Sequence, residues 1–130
     1  QALGVNPLEA WKSRDLLILL KTEEDVAELQ PDFLQLAAIP DGLAVIVTAP
    51  GKDVDFVSRF FAPGAGIPED PVTGSAHCTL IPFWAERLGK KQMQARQLSA
   101  RGGLLVCEDH GKRVVMAGTA ILYLEGEIII

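Results

Sequence analysis

The chain has 130 residues, 48% hydrophobic and 22% charged, which is the size and balance of one globular domain with its own core. Its longest unbroken aliphatic runs, Leu16–Leu20 and Leu43–Val47, are five residues long, whereas a membrane-spanning helix needs about 20 apolar residues. Twelve Lys and Arg against 17 Asp and Glu give a net charge of −5, and nucleic-acid binding normally requires a basic surface. We therefore expect a single domain over residues 1–130, with no membrane or nucleic-acid partner.

The first half of the chain predicts short helices and strands. Apolar residues at helical spacing predict a helix over Leu3–Ser13, and an aliphatic run predicts a buried strand over Leu16–Lys21. Thr22, followed by three acidic residues, is a typical helix N-cap. Its helix should end near Gln30, because a proline follows and disfavours helical geometry in the residue before it. Further elements are predicted as a helix over Asp32–Ala38 and strands over Leu43–Thr48 and Val54–Phe61.

The middle of the chain predicts a shaped loop followed by one long helix. The loop, Gly64–Gly74, contains three glycines and two prolines. From Thr73 to about Leu88 the pattern is helical, and Gly89 is a natural residue just beyond a helix C-terminus. Apolar residues lie nearly all the way round this helix, which predicts that it is buried on every side. Pro82 in its interior predicts a kink.

The rest of the chain predicts short strands joined by glycine-containing turns. These strands are expected over Met93–Arg101, Leu104–Glu108, Arg113–Ala117 and Thr119–Ile128. Many short strands together with one buried helix indicate an α+β fold in which a sheet curls about that helix.

Two cysteines, Cys78 and Cys107, are too few for a disulfide framework or a four-thiolate metal site. Both have apolar neighbours in the sequence, so we expect buried thiols in a reducing, cytoplasmic compartment. A single disulfide between them stays open as an alternative. The two histidines, His77 and His110, fall at no metal-ligand spacing, and we expect no metal site.

The start of the long helix is a candidate anion-binding site. Gly74 and Ser75 follow a glycine-rich loop, and the first N–H groups of a helix have no partners within the helix. Together with the helix dipole they form a ready site for a carboxylate or phosphate. The Ser75 hydroxyl can add a donor. The alternative is an ordinary Thr73 N-cap, with water bound to the free amides.

Asp70 lies a few residues ahead of the same helix end and precedes a proline, which holds it extended. A carboxylate in this place could act as an acid or base on whatever the helix end binds, and the alternative is an ordinary acid of a surface loop. Glu69 should point elsewhere if the loop is extended. We expect His77 to be a packed or capping histidine. Its side chain and that of Cys78 diverge on a helix and cannot form a nucleophile–base pair.

Three segments of the sequence resemble the PhzF-like phenazine-biosynthesis family. They are Asp55–Pro63, Gly66–His77 and Trp84–Gly89, and the closing stretch Gly118–Glu127 also matches the family's usual ending. The resemblance implies the diaminopimelate-epimerase-like fold, whose two similar halves each wrap a β-sheet barrel around a central helix, here about residues 73–88. It also implies cofactor-independent isomerisation, in which a proton moves on a small, carboxylate-bearing, amino-acid-like substrate held between the halves.

Carried over by motif, Asp70 would be the acid/base or orienting group, and Gly74 and Ser75 would bind the substrate carboxylate. Cys78 lies beyond the helix start, so the two-cysteine mechanism of the amino-acid racemases with this fold does not match. His77 fits the family pattern, and we assign it no catalytic role.

The resemblance covers only the C-terminal half of the family, and no residue here matches the proton-shuttling glutamate of the other half. The chain begins with Gln1 and not Met, which we interpret as a cut between two halves of one active site. We therefore expect the N-terminal half as a partner, a homodimer by the habit of the family, and no turnover by this chain alone. The alternatives are a binding module that keeps the anion site without chemistry and a homo-oligomeric structural domain.

Overall fold

The structure is a computed structural model that describes residues 2–40 and 44–129. Within these residues the chain forms a single mixed sheet of seven strands, with helices on both faces. The strands are β1 (Glu9–Lys12), β2 (Leu16–Leu19), β3 (Val45–Pro50), β4 (Phe56–Phe61), β5 (Gln92–Gln97), β6 (Gly103–Asp109) and β7 (Val114–Ala117). The helices are α1 (Glu23–Ala27), α2 (Phe33–Ala37) and α3 (Gly74–Leu88), with a short 3₁₀ turn over Pro63–Ala65.

The strands lie in the sheet in the order in which they occur in the chain. β2 pairs with β3, and β4 with β5, in parallel, whereas the other neighbours are antiparallel. The α+β class predicted from the sequence is therefore confirmed. Among the described residues β1 and β7 do not pair with each other, so the sheet is open. The predicted barrel around the helix is not closed by these strands.

Both faces of the sheet carry a hydrophobic core, which explains the long apolar runs of β3 and β4. Along β4, Phe56 and Phe60 belong to the cluster that packs against α3, whereas Val57 and Phe61 belong to the cluster under α1 and α2. The ring of Phe56 stacks on Trp84 of α3 with centroids 5.7 Å apart. β4 and its neighbours thus form the central layer from which the loop to α3 departs.

Helix α3 confirms the predicted long helix and ends at Gly89. The φ of Gly89 is 63°, a left-handed conformation that glycine adopts more easily than any other residue. The prediction of burial on every side is wrong. One side of α3 is buried, but a stripe at helical spacing is exposed. The stripe consists of Ser75, Cys78, Pro82 and Glu86. The reason is that the open sheet covers only one side of the helix.

The predicted helix over Leu3–Ser13 is also wrong, because residues Glu9–Lys12 form β1. This strand pairs antiparallel with β2, with Glu9 opposite Leu19 and Lys12 opposite Leu16, and tertiary pairing commonly overrides a weak helical preference. The helix after Thr22 forms with the predicted cap, but it ends at Ala27, earlier than expected.

The other predicted elements before α3 form with shifted bounds. The helix predicted over Asp32–Ala38 forms as α2, with Asp32 as its N-cap. β3 begins at Val45 and β4 at Phe56, within the strands that the sequence predicts. Leu43, the predicted first residue of β3, lies outside the described residues.

The predicted last strand, Thr119–Ile128, does not form within the described residues. Residues 118–129 have no regular secondary structure, and their large apolar side chains are 79–97% exposed. These side chains are Ile121, Leu122, Tyr123, Leu124, Ile128 and Ile129. A strand forms only when its backbone hydrogen bonds meet a neighbouring strand, and this segment pairs with none of the described strands. We call residues 118–129 the C-terminal tail.

In the described ranges, none of the helices has both the length and the apolar character that crossing a membrane requires.

Candidate active site

The loop that joins β4 to α3 holds Asp70 close to the first turn of α3. Its path is tied to β4, because the N–H of Asp70 donates to the carbonyl of Phe60 at 3.0 Å. On the other side of Asp70, the carboxylate atom Oδ2 accepts a hydrogen bond of 2.5 Å from the hydroxyl of Thr73. Asp70 is partly buried. It is thus a fixed group of the site and not a freely moving surface acid.

Thr73 precedes α3 in the N-cap position, but its side chain makes no capping hydrogen bond to the helix. An N-cap threonine ordinarily accepts a bond from one of the first helical N–H groups, whereas this hydroxyl is turned toward Asp70. The N–H groups of Gly74 and Ser75 therefore receive no partner from the described residues. Gly74 and Ser75 are exposed. The start of α3 is consequently open to an anion from solvent.

Gln97, the last residue of β5, holds this turn from beneath. Its side chain is 0% exposed. Its Oε1 accepts the N–H of Thr73 at 2.8 Å, and its Nε2 donates to the carbonyl of Asp70 at 2.7 Å and to Oγ1 of Thr73 at 3.1 Å. Sequence reasoning missed Gln97. The available signal was an amide at an inward-facing position of β5, in phase with the buried residues Met93 and Ala95.

Glu69 faces away from this turn, as expected from the extended loop. Both of its carboxylate oxygens accept hydrogen bonds from Arg59 of β4, at 2.7 and 3.0 Å. The same guanidinium donates to the carbonyl of Leu29 at 2.9 Å, beyond the end of α1. Glu69 is therefore a structural partner that fixes the loop, with both carboxylate oxygens bound to Arg59.

Two contacts from the turn after β5 complete the support of the loop. The Ser99 hydroxyl donates to the carbonyl of Pro71 at 2.8 Å. The side chain of Val72 lies against Gly103, where an added Cβ would overlap it. Position 103 therefore requires glycine because of this close approach.

His77 is fully buried in the first turns of α3, beside the ring of Phe56. Its Nδ1 lies 2.8 Å from the carbonyl of Thr73, and because a carbonyl only accepts, Nδ1 carries the proton. Burial lowers the pKa of His77, although the bond to Thr73 partly opposes this effect. Its Nε2 has no partner among the described residues. The expectation of a packed histidine is confirmed.

The cysteines are both free thiols, and they differ in exposure. Cys107 is buried as expected, and burial raises its pKa to about 11, so that it stays protonated. The same expectation is wrong for Cys78, which lies on the exposed stripe of α3. Within the described residues no three His, Cys, Asp or Glu side chains come together in a group that could hold a metal ion.

Comparison with known proteins gives a consistent picture. A family model described as "Phenazine biosynthesis-like protein" matches residues 6–126. An uncharacterized isomerase of Pseudomonas aeruginosa is 56% identical over 129 residues, which are 98% of this chain and 49% of that protein. The chain therefore spans about half the length of the curated relatives it matches.

Two crystal structures are similar over nearly the whole chain. A PhzF-family phenazine biosynthesis protein of Enterococcus faecalis superposes with a TM-score of 0.92 and 51% identity, covering 99% of this chain and 50% of that one. A putative phenazine biosynthesis PhzC/PhzF protein of Clostridium difficile gives a TM-score of 0.88 and 47% identity, covering 98% and 49%.

Proposed function

Because the chain belongs to the phenazine biosynthesis-like (PhzF) family, we propose that it is the C-terminal half of a cofactor-independent isomerase with the diaminopimelate-epimerase-like fold. The reaction is a proton shift on a small, carboxylate-bearing, amino-acid-like substrate. Isomerase is also the activity in the name of the Pseudomonas relative. The observation that carries the proposal is the Asp70 carboxylate, held by Thr73 at the open start of α3.

In this proposal Gly74 and Ser75 bind the carboxylate of the substrate. Their N–H groups are exposed and without partners in the described chain, and the dipole of a 15-residue helix favours an anion there. A substrate held in this way would have its reacting carbons close to Asp70. Oδ1 of Asp70 accepts no hydrogen bond from the described residues, so it remains available to take or orient a proton.

A proton shift removes a hydrogen from one carbon and returns one to another, and it commonly uses two groups. In this proposal the 130-residue chain supplies one such group, Asp70. Glu69 is tied to Arg59, and His77 is buried and held neutral by its lowered pKa. We therefore assign the second group to the N-terminal half, and we expect the isolated chain to be inactive.

Three exposed surfaces support a need for this partner. They are the stripe on α3, the unpaired outer edges β1 and β7, and the C-terminal tail with its apolar side chains. Of these, the tail exposes large apolar side chains, and an exposed apolar patch normally marks an interaction site. The outward side chains of Leu104, Val106 and Val115 on β6 and β7 are exposed as well and support the homodimer. Two free thiols support a reducing, cytoplasmic location.

The test is solvent deuterium exchange into candidate α-amino acids and β,γ-unsaturated acids. We expect none with the 130-residue chain and measurable exchange once the N-terminal half of a full-length relative is added. Asp70→Asn should then reduce the rate at least about 100-fold, the size of an acid/base contribution. Asp53→Asn, at an exposed aspartate in a distant turn, is the matched control and should keep the rate. Exchange by the chain alone that Asp70→Asn abolishes would overturn the assignment of a half site.

The alternative is an interaction domain without chemistry, either an anion-binding module or a homo-oligomer. The exposed tail and the apolar outer side of β6 and β7 favour it. It predicts stable self-association in sedimentation experiments and no exchange even with the N-terminal half present.

A further inference from the structure

We propose that Gln97 is a positioning residue that aims the Asp70 carboxylate through the hydroxyl of Thr73 and keeps the start of α3 uncapped. The inference rests on the proposed function only for the role given to Asp70. The geometry of the three residues carries the rest.

Both donors and the acceptor oxygen of the Gln97 amide are bound. A primary amide offers two N–H donors and a carbonyl oxygen with two lone pairs; both N–H groups and one lone pair are engaged within the turn from Asp70 to Thr73. If the amide group were flipped by 180°, Oε1 would face the carbonyl oxygen of Asp70 and Nε2 would face the N–H of Thr73. Both contacts would be repulsive, so only one orientation of the side chain satisfies the turn.

This orientation determines where the Thr73 hydroxyl points. Oγ1 receives a hydrogen from Gln97 at 3.1 Å, which occupies a lone pair and directs the hydroxyl proton toward Oδ2 of Asp70, 2.5 Å away. Hydrogen bonds in such a series polarise and strengthen one another. The direction of the carboxylate is thus set from Gln97, although Gln97 does not touch it.

The same arrangement diverts Thr73 from its ordinary role. A threonine in this position usually accepts from a helical N–H, but here Oγ1 accepts from Gln97 and makes no bond to the helix. The N–H groups of Gly74 and Ser75 are left for a ligand. One buried amide therefore prepares both parts of the site.

Gln97 is well placed to hold this geometry because it sits on a rigid element. It pairs with Ser58 of β4 on one side and with Gly103 of β6 on the other. Positioning by a side chain on a central strand is more precise than positioning by a loop.

The experiment is NMR of the labelled chain, with the ¹³Cγ resonance of Asp70 and the amide resonances of Gly74 and Ser75 as readouts. Gln97→Met removes both donors at similar volume, and Thr73→Val removes the hydroxyl. We expect both variants to shift the Asp70 resonance in the same direction, and the double variant to add nothing to Thr73→Val. Gln94→Met, at an exposed glutamine of the same strand, is the matched control and should leave the Asp70 resonance unchanged.

A merely structural Gln97 would lower thermal stability and leave the Asp70 resonance in place, and that result, or additive shifts in the double variant, would overturn the proposal. If Gln97→Met does not fold, side-chain exchange in the unchanged protein tests the hydrogen bonds on which the proposal depends. The side-chain N–H protons of Gln97 should exchange with solvent at least about 100-fold more slowly than those of Gln94. Equal exchange rates would contradict the proposal.

Titration with acetate separates this inference from the proposed function. Absence of acetate-induced shifts at Gly74 and Ser75 would count against the carboxylate site and leave the role of Gln97 intact. Acetate binding without any effect of Gln97→Met on the Asp70 resonance would count against the role of Gln97 and leave the carboxylate site intact.

Discussion

At the scale of single residues, Thr73 connects the parts of the site. Its N–H donates to Gln97, its hydroxyl donates to Asp70, and its carbonyl accepts from Nδ1 of His77. Every polar atom of this residue is therefore engaged. Thr73 thus joins Gln97, Asp70 and His77 in one continuous set of hydrogen bonds.

His77 predicts a pH dependence of stability. Because burial lowers its folded-state pKa below the ordinary value of 6.5, the unfolded chain binds the proton more readily. The stability contribution is complete above about pH 6.5 and is lost as the pH falls through the lower folded value, with a slope of up to about 1.4 kcal/mol per pH unit.

The measurement is urea unfolding between pH 5 and pH 7.5. We expect His77→Gln to flatten the dependence in this window. His110→Gln, at the exposed histidine, should keep it. An unchanged slope in His77→Gln would show that His77 does not control it.

At the scale of elements, α3 has two roles: its buried side anchors it to the sheet, and its start is the candidate anion site. Its buried side, with Trp84 stacked on Phe56, anchors the helix against the sheet. At its uncapped start, the first N–H groups have no partner among the residues that the structure describes. Most helices satisfy their first N–H groups with a side chain or water, so a firmly packed helix with an open start is suited to bind a ligand.

Ser75→Asp separates these two tasks. A carboxylate in the first turn interacts favourably with the helix dipole by about 0.3–1 kcal/mol, so thermal stability should be equal or higher. The same charge repels an anionic ligand, and we expect acetate or amino-acid binding, followed by NMR titration, to weaken about tenfold. Ser75→Asn, neutral and of the same shape as Asp, should bind nearly as well as the parent. Unchanged affinity in Ser75→Asp would place the carboxylate elsewhere.

At the scale of the whole molecule, the described residues form an open sheet with a core on each face and apolar side chains exposed beyond its last strand. The tail is the clearest case, since its six large apolar side chains are 79–97% exposed. An apolar run without alternation is typical of a strand buried on both faces. The tail therefore has the sequence of a strand that lacks its neighbours in the described chain.

Limited proteolysis tests this interpretation. Chymotrypsin should cut first at Leu122, Tyr123 or Leu124, because this exposed backbone has no strand partner, and the remaining sheet should persist. Adding the N-terminal half of a relative should slow the cut. First cleavage within β3–β6, or no protection by the added half, would contradict the proposed pairing.

Much of the site could be predicted from the sequence because its signals are local. The cap at Thr22 and the end of α3 at Gly89 depend on residues a few positions apart. The same holds for Asp70 ahead of the helix start. Gln97 could not be identified in this way, because it lies 24 positions from Thr73 and meets it only when β5 is in place.

The sequence by itself determined the α+β class, the long helix that ends at Gly89, and the family to which the loop motif belongs, whereas the uncapped start of that helix is seen only in the structure. The tertiary structure alone decided that Glu9–Lys12 is a strand and that one side of α3 and Cys78 are exposed. It also decided that the described strands form an open sheet and that the buried Gln97 amide holds the turn from Asp70 to Thr73. The physical reason is the same in each case. Local conformation follows from neighbouring residues, whereas strand pairing, burial and hydrogen bonds between distant segments exist only after the chain has closed on itself.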